Sequence, residues 1–133
     1  MSLDLRDLPA DVVDFLTERH LATLTTLRRD GTPHVVPVGF TYDAGTRTAR
    51  VITSGESVKA RNAGRPGAVA AICQVDGARW LTVSGPVRVD DDPAVVADAV
   101  DRYAARYRQP RVNPLRVALI MDVDRMLGSS RLR

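Results

Sequence analysis

Cysteine is almost absent from this chain. Cys73 stands alone among 133 residues, so no internal disulfide can form and no thiolate cluster can hold zinc. Histidine is nearly as scarce: His20 and His34 are too few for an all-imidazole site, and no metal is expected. Aromatic residues make up 5% of the chain. No basic stripe alternates with stacking rings, which argues against a nucleic-acid module. No apolar run approaches the ~18–20 residues that cross a bilayer, so no membrane role is expected. The opening Met1-Ser2-Leu3-Asp4 has neither the basic lead nor the apolar core of a secretory signal. A protein of the reducing cytoplasm is the expectation. Three further absences narrow the chemistry. There is no Gly-x-Ser-x-Gly elbow, no His-Glu-x-x-His pair and no dinucleotide fingerprint, which removes hydrolase, zinc-protease and Rossmann readings.

What is present fits one domain over residues 1–133, since a single core organises about 100–200 residues. Hydrophobic residues are 44% and charged residues 26%, ordinary for a globular chain. The net charge of +3 is spread along the sequence, which suits a small anionic ligand better than a polyanion. Of nineteen cationic side chains all are arginine except Lys59. Arginine-rich codon usage accounts for that bias, and it makes the one lysine a position to inspect.

Periodicity predicts six strands and three helices. Asp7–His20 reads as a helix with Pro9 in its first turn and Val12, Val13, Phe15 and Leu16 as its stripe. Ala22–Leu27 alternates as a strand, Asp30-Gly31 makes a hairpin turn, and His34–Tyr42 follows as a second strand broken by Pro37 and Gly39. Pro37 cannot donate to a ladder, so it demands an edge, bulge or opening. Gly39 either bends the strand at a barrel corner or lets something approach the backbone. Thr48–Ser54 is the third strand, and Ser57–Ala63 a short helix capped by Ser54 or Ser57. Ala68–Val75 and Ala78–Val89 form the next hairpin, the latter bending at Gly85-Pro86. Asp90–Pro93 caps a helix with Val96, Val100, Tyr103 and Tyr107 on one buried face, and Val117–Leu127 is the last strand. Six antiparallel strands of this length close into a small barrel more naturally than they form an open sheet.

The segment Val51-Ile-Thr-Ser-Gly-Glu-Ser-Val-Lys-Ala-Arg-Asn62 carries the most chemistry. A strand runs through Thr53 and Ser54 into a loop that opens a helix bearing Lys59 and Arg61. Amide hydrogens at a helix start, hydroxyls and a full charge together make a phosphate cradle; a capped helix with a solvated basic face explains the same residues. His34 reads as a base, a ring contact or a polar strand residue. Trp80 reads as core, dimer interface or ligand contact. The run Asp90-Asp91-Asp92 suits helix capping more simply than a cation.

Several stretches resemble one family. Arg19-His-Leu-Ala-Thr-Leu-Thr-Thr-Leu27 and Asp30-Gly-Thr-Pro-His-Val-Val-Pro-Val-Gly-Phe40 resemble the opening of the flavin/deazaflavin split β-barrel family, to whose fold pyridoxamine 5'-phosphate oxidase belongs. Ile52-Thr-Ser and Ser57-Val-Lys-Ala-Arg-Asn62 resemble its phosphate-binding element. Gln74-Val-Asp-Gly-Ala-Arg-Trp-Leu-Thr-Val-Ser-Gly85 and Arg106-Tyr-Arg-Gln-Pro-Arg-Val-Asn-Pro-Leu-Arg-Val117 resemble the actinobacterial group that uses coenzyme F420, its biliverdin reductases included. The resemblance implies a mainly β, α+β fold: a six-stranded antiparallel split β-barrel with short flanking helices, like the FMN-binding split barrels. It implies a homodimer with two cofactor sites at the interface, each lined by both chains. Lys59 should hold the cofactor phosphate with Ser54, Ser57 and Arg61. The backbone of Pro37, Val38 and Gly39 should face the deazaflavin ring, Ile52 and Thr53 its edge, with Asn62 and Gln74 as further polar contacts. The FMN-using oxidases of the family carry an Arg-Lys pair where this chain has Val58-Lys59, a departure that weakens the FMN alternative.

These readings imply an F420H2-dependent reductase passing a hydride to an organic acceptor, foremost the tetrapyrrole biliverdin. Arginines suit the propionates of such a substrate. An FMN-binding oxidoreductase on the same fold is the first alternative, and a non-catalytic carrier of cofactor or tetrapyrrole the second. No residue is assigned to the chemical step.

Overall fold

A computed structural model describes residues 1–132. Eight strands run in the order β2-β1-β5-β6-β7-β4-β3, with β8 added against β6. They are β1 (Ala22–Leu27), β2 (Pro33–Val38), β3 (Thr41–Asp43), β4 (Thr48–Ser54), β5 (Val69–Asp76), β6 (Arg79–Asp90), β7 (Arg116–Asp122) and β8 (Arg125–Gly128). The helices are α1 (Ala10–Thr17), α2 (Val58–Ala63) and α3 (Pro93–Arg106), and a 3-10 turn covers Ser130–Leu132.

The count is eight, not six, because two predicted strands each divide. The run expected over His34–Tyr42 breaks at Gly39-Phe40 into β2 and β3. These lie at opposite ends of the sheet path, so the sheet is not closed. That break is the split in the barrel. Pro37 sits in β2, an end strand paired only with β1, where a missing amide hydrogen costs least. The run expected over Val117–Leu127 breaks after Asp122. β7 pairs with β4 and with the far half of β6, while β8 pairs with the near half. Gly85 makes this possible. A Cβ there would lie 2.0 Å from the Asp122 carbonyl oxygen, so only glycine lets the chain cross the bend of β6.

The main core gathers Phe15 and Leu16 of α1 with Leu24, Phe40, Ile72, Leu81, Val83, Met121 and Met126. A smaller cluster lies under α3, where Ala99 meets Ala118 and Ile120 with Ile52 and Val95 alongside. The expected buried face of α3 is corrected here. Val96, Val100, Tyr103 and Tyr107 are only half-buried, and Ala99 makes the close contact. A methyl group at the contact line lets the helix approach the sheet and leaves the larger side chains to either flank.

Helix α1 is shorter than predicted. Pro9 sits before the first turn with extended backbone, and Glu18 is extended again. Beyond it, Glu18 and His20 join an ion network. His20 Nε2 lies 2.9 Å from Glu18 Oε1, and Arg79 donates to both Glu18 oxygens and to Asp76. Helix α3 starts as expected, with Asp92 Oδ1 accepting from the Ala94 and Val95 amides.

Over β1, β5 and the first half of β6, no helix among the described residues covers the outer sheet face that α3 covers farther along. Strand pairing lines up Thr25, Ala71 and Ser84 in one row and Thr23, Cys73 and Thr82 in the next. Leu27, Val35, Val69 and Val75 stand exposed on the same side. Trp80 is half-buried there opposite Val75. Pro37, paired with Thr23, also belongs to this face.

Candidate functional site

A cleft of about 260 Å³ opens where the end of β2, the end of β4, α2 and the loop after α3 converge. Its walls bring together Pro37 and Val38 from the end of β2 with Gly39 just beyond it, Ile52, Thr53 and Ser54 from β4, and Lys59 from α2. Seven sequence-predicted positions therefore share one space. Four further residues line it that sequence reasoning did not select: Tyr103, Pro110, Asn113 and Arg116. Helical spacing places Tyr103 on the expected buried face of α3, and the fold turns it to the cleft instead. The others lie in a proline-bracketed loop and at the head of the last strand run, where functional side chains concentrate. That loop was the available signal.

The cations decide the character of the cleft. Lys59 is half-buried and makes no hydrogen bond or ion pair with any described residue; burial alone pushes its pKa down. Arg116 spends one nitrogen on the Arg111 carbonyl, 2.6 Å away, and faces no carboxylate. Among the described residues, no acidic side chain lines the cleft. Two cations without a counter-charge, partly withdrawn from water, form a site that an anionic group would complete.

Local folding places these groups. Ser57 caps α2 by accepting from the Ala60 amide at 3.2 Å, and its oxygen also lies 3.1 Å from Thr53 Oγ1. The cap turns the chain so that Lys59 looks back toward β4. Gly55 N donates to Leu115 O at 2.8 Å, tying the loop after β4 to the loop before β7. Asn113 Oδ1 accepts from Leu115 N at 3.0 Å and fixes the turn that presents Arg116.

Four predicted positions do not line the cleft: Ser57, which reaches it only through Thr53, and Arg61, Asn62 and Gln74. Arg61 points from the other side of α2 into a separate groove with Arg28, Arg29 and Arg65. Asn62 is buried, donating to Thr26 Oγ1 at 3.0 Å and accepting from Arg65 at 2.9 Å. Gln74 is fully buried, donating to Phe15 O at 2.8 Å and accepting from Arg106. Both amides are engaged by the protein through nitrogen and oxygen, and neither lines the cleft. His34 also lies outside the cleft, with its Nδ1 buried.

The pyridoxamine 5'-phosphate oxidase family profile matches residues 8–129. The chain belongs to that family. It is 57% identical over 122 residues to an F420H(2)-dependent biliverdin reductase of Mycobacterium tuberculosis (strain CDC 1551 / Oshkosh), covering 92% of this chain and 88% of that protein. Among solved structures, one described as an F420 reductase aligns with a TM-score of 0.69 at 26% identity, covering 90% of this chain and 98% of the other. A conserved hypothetical protein of Mycobacterium tuberculosis aligns with a TM-score of 0.77 at 20% identity, covering 92% and 84%; at that identity it speaks for the fold alone. Within the family, the cleft fits a deazaflavin. Lys59 and Arg116 answer an anionic group, and the apolar Pro37–Gly39 backbone with Ile52 offers a surface for a flat ring.

Proposed function

We propose that this chain is a coenzyme F420H2-dependent reductase that delivers a hydride to biliverdin and yields bilirubin. One observation carries the reading: a half-buried, unpartnered Lys59 shares an acid-free cleft with Arg116 and the Pro37–Gly39 backbone. The 57% identity to a protein named for that activity supports it. Lys59 and Arg116 would hold the coenzyme's anionic group, with Thr53 and Ser54 as hydroxyl donors and Ser57 supporting them through Thr53. Pro37, Val38, Gly39 and Ile52 would face the ring. When bound, the reduced deazaflavin supplies a hydride from the carbon that replaces flavin N5, a two-electron donor suited to a methine carbon. The protein contributes orientation and exclusion of water. A proton accompanies the hydride, so that biliverdin gains two electrons and two protons' worth of hydrogen in total.

We further infer a homodimer, acting as one domain per chain in the cytoplasm, where Cys73 stays reduced. The outer face of β1, β5 and the first half of β6, apolar and hydroxyl-bearing at its centre and edged by Asp124 and Arg125, supports a second copy seated there. Pro37 belongs both to that face and to the cleft wall, so the partner would border the site. The cleft of one chain, about 260 Å³, is also below the roughly 300–1,000 Å³ usual for a buried ligand. Sedimentation should give twice the chain mass.

Anaerobic addition of biliverdin to protein and reduced coenzyme F420 tests the activity. Oxidised deazaflavin absorbance should appear with bilirubin in equal amount. Tight binding without reoxidation would make the chain a carrier instead. Retention and turnover of FMN in place of F420 would favour the FMN alternative.

A further inference from the structure

The glycine at position 39 has a cause that its sequence context did not reveal. A Cβ there would sit 2.9 Å from Tyr103 Cε2 and 3.1 Å from two ring carbons of Tyr107. What approaches the backbone is a pair of tyrosine rings from the far end of α3. Tyr107 is fixed on several sides. Its hydroxyl donates to His20 O at 2.7 Å and accepts from Phe40 N at 3.2 Å, and the Arg106 guanidinium lies 5.1 Å from its ring centre. Tyr103 leans on Tyr107 with ring centres 4.9 Å apart at 31°. It is thus wedged between a glycine backbone and an immobile ring.

The two phenols differ in what they do with their oxygens. Tyr107 serves the protein. Tyr103 makes no hydrogen bond among the described residues, yet its side chain lines the cleft beside Lys59, Asn113 and Arg116. An aromatic face with a free polar tip, held rigidly in a binding cleft, is equipped to meet a planar ring and donate to an acceptor at its edge.

Resting on the deazaflavin reading of the cleft, we propose that Tyr103 is its specificity-determining wall, packing on the flat conjugated ring of the bound coenzyme and selecting for planarity. Gly39 and Tyr107 are positioning residues that hold it in place. The ring contact belongs to Tyr103 and the hydroxyl sharpens it.

Fluorescence titration with oxidised coenzyme F420, beside thermal melts of each protein, tests this. Tyr103→Phe keeps the wall and should bind within about threefold of the unsubstituted chain. Tyr103→Leu should lose at least about tenfold in affinity and most of the ring's fluorescence quenching. Gly39→Ala displaces the ring without altering it and should reproduce the loss of affinity, covering the case in which Tyr103→Leu does not fold. Introduced on top of Tyr103→Leu, Gly39→Ala should lower the melting temperature less than it does alone. Affinity and quenching unchanged in Tyr103→Leu would overturn the role of Tyr103 while leaving the deazaflavin reading intact. An unsubstituted chain that does not bind the coenzyme would overturn both.

Discussion

Arg106 and Lys59 are both half-buried cations, and burial lowers the pKa of each. Their surroundings differ completely. Arg106 donates to Glu18 O at 2.9 Å, to Phe40 O at 2.6 Å and to Gln74 Oε1, and its guanidinium lies over the Phe40 ring. It ties the end of α1, the start of β3 and the middle of β5 together. Lys59 bonds to no described residue and looks into a cleft with no acid in it. Withdrawal of a charge from water therefore does not mark a functional site by itself. The mark is a withdrawn charge whose donors are unspent, because nothing in the folded chain offsets its desolvation.

That contrast predicts opposite responses to substitution. Arg106→Met keeps much of the apolar stem but takes the guanidinium donors from three acceptors, of which Phe40 O keeps only the Tyr107 hydroxyl, and should destabilise the fold by about 2–4 kcal/mol in denaturant titration. A stability loss under about 1 kcal/mol would place Arg106 outside the structural role. Lys59→Met should leave the melting temperature unchanged or slightly raised, since it removes an uncompensated charge, yet weaken deazaflavin binding by about 1–3 kcal/mol. The pH dependence sharpens the point. With its pKa lowered, Lys59 loses its proton at a lower pH than an ordinary lysine. Coenzyme affinity should thus fall early as the solution becomes alkaline, and Lys59→Arg should carry binding to higher pH.

The smallest expected effect concerns the exposed ion network beside Arg106. Hydrogen bonds from Arg79, then from His20, hold the Glu18 carboxyl at about 2 against its ordinary 4.5. A depressed carboxyl pKa stabilises the fold above about pH 4.5 and loses that contribution as pH falls toward about 2. Glu18→Gln should flatten the melting-temperature profile over that window by a modest amount, because the pair is solvated. An unchanged profile would mean that the network adds nothing to stability.

How much of the site was legible depended on how local each cause was. The cap of α2 by Ser57, the position of Lys59 and the strand leading into it are set by neighbours in the chain, and spacing revealed them. Asn62 and Gln74 misled because a polar side chain in a strand or short helix looks the same whether it will meet a ligand or a distant carbonyl. Their partners, Thr26 and Phe15 O, lie far along the chain. Tyr103 was visible as an aromatic on an amphipathic helix, and amphipathicity cannot say which flank of the contact line opens onto a cleft.

The same division holds for the whole molecule. Alternation of side chains, turn residues and caps fixed the position of each strand and helix to within a few residues, since these depend on backbone sterics and near-neighbour hydrogen bonds. Only the tertiary structure decided that two of the runs break, at Gly39-Phe40 and after Asp122. Those breaks answer to steric contacts from chain far away in sequence: the rings of Tyr103 and Tyr107 against one, the bend at Gly85 against the other. The break at Gly39 borders the cleft that Lys59 faces.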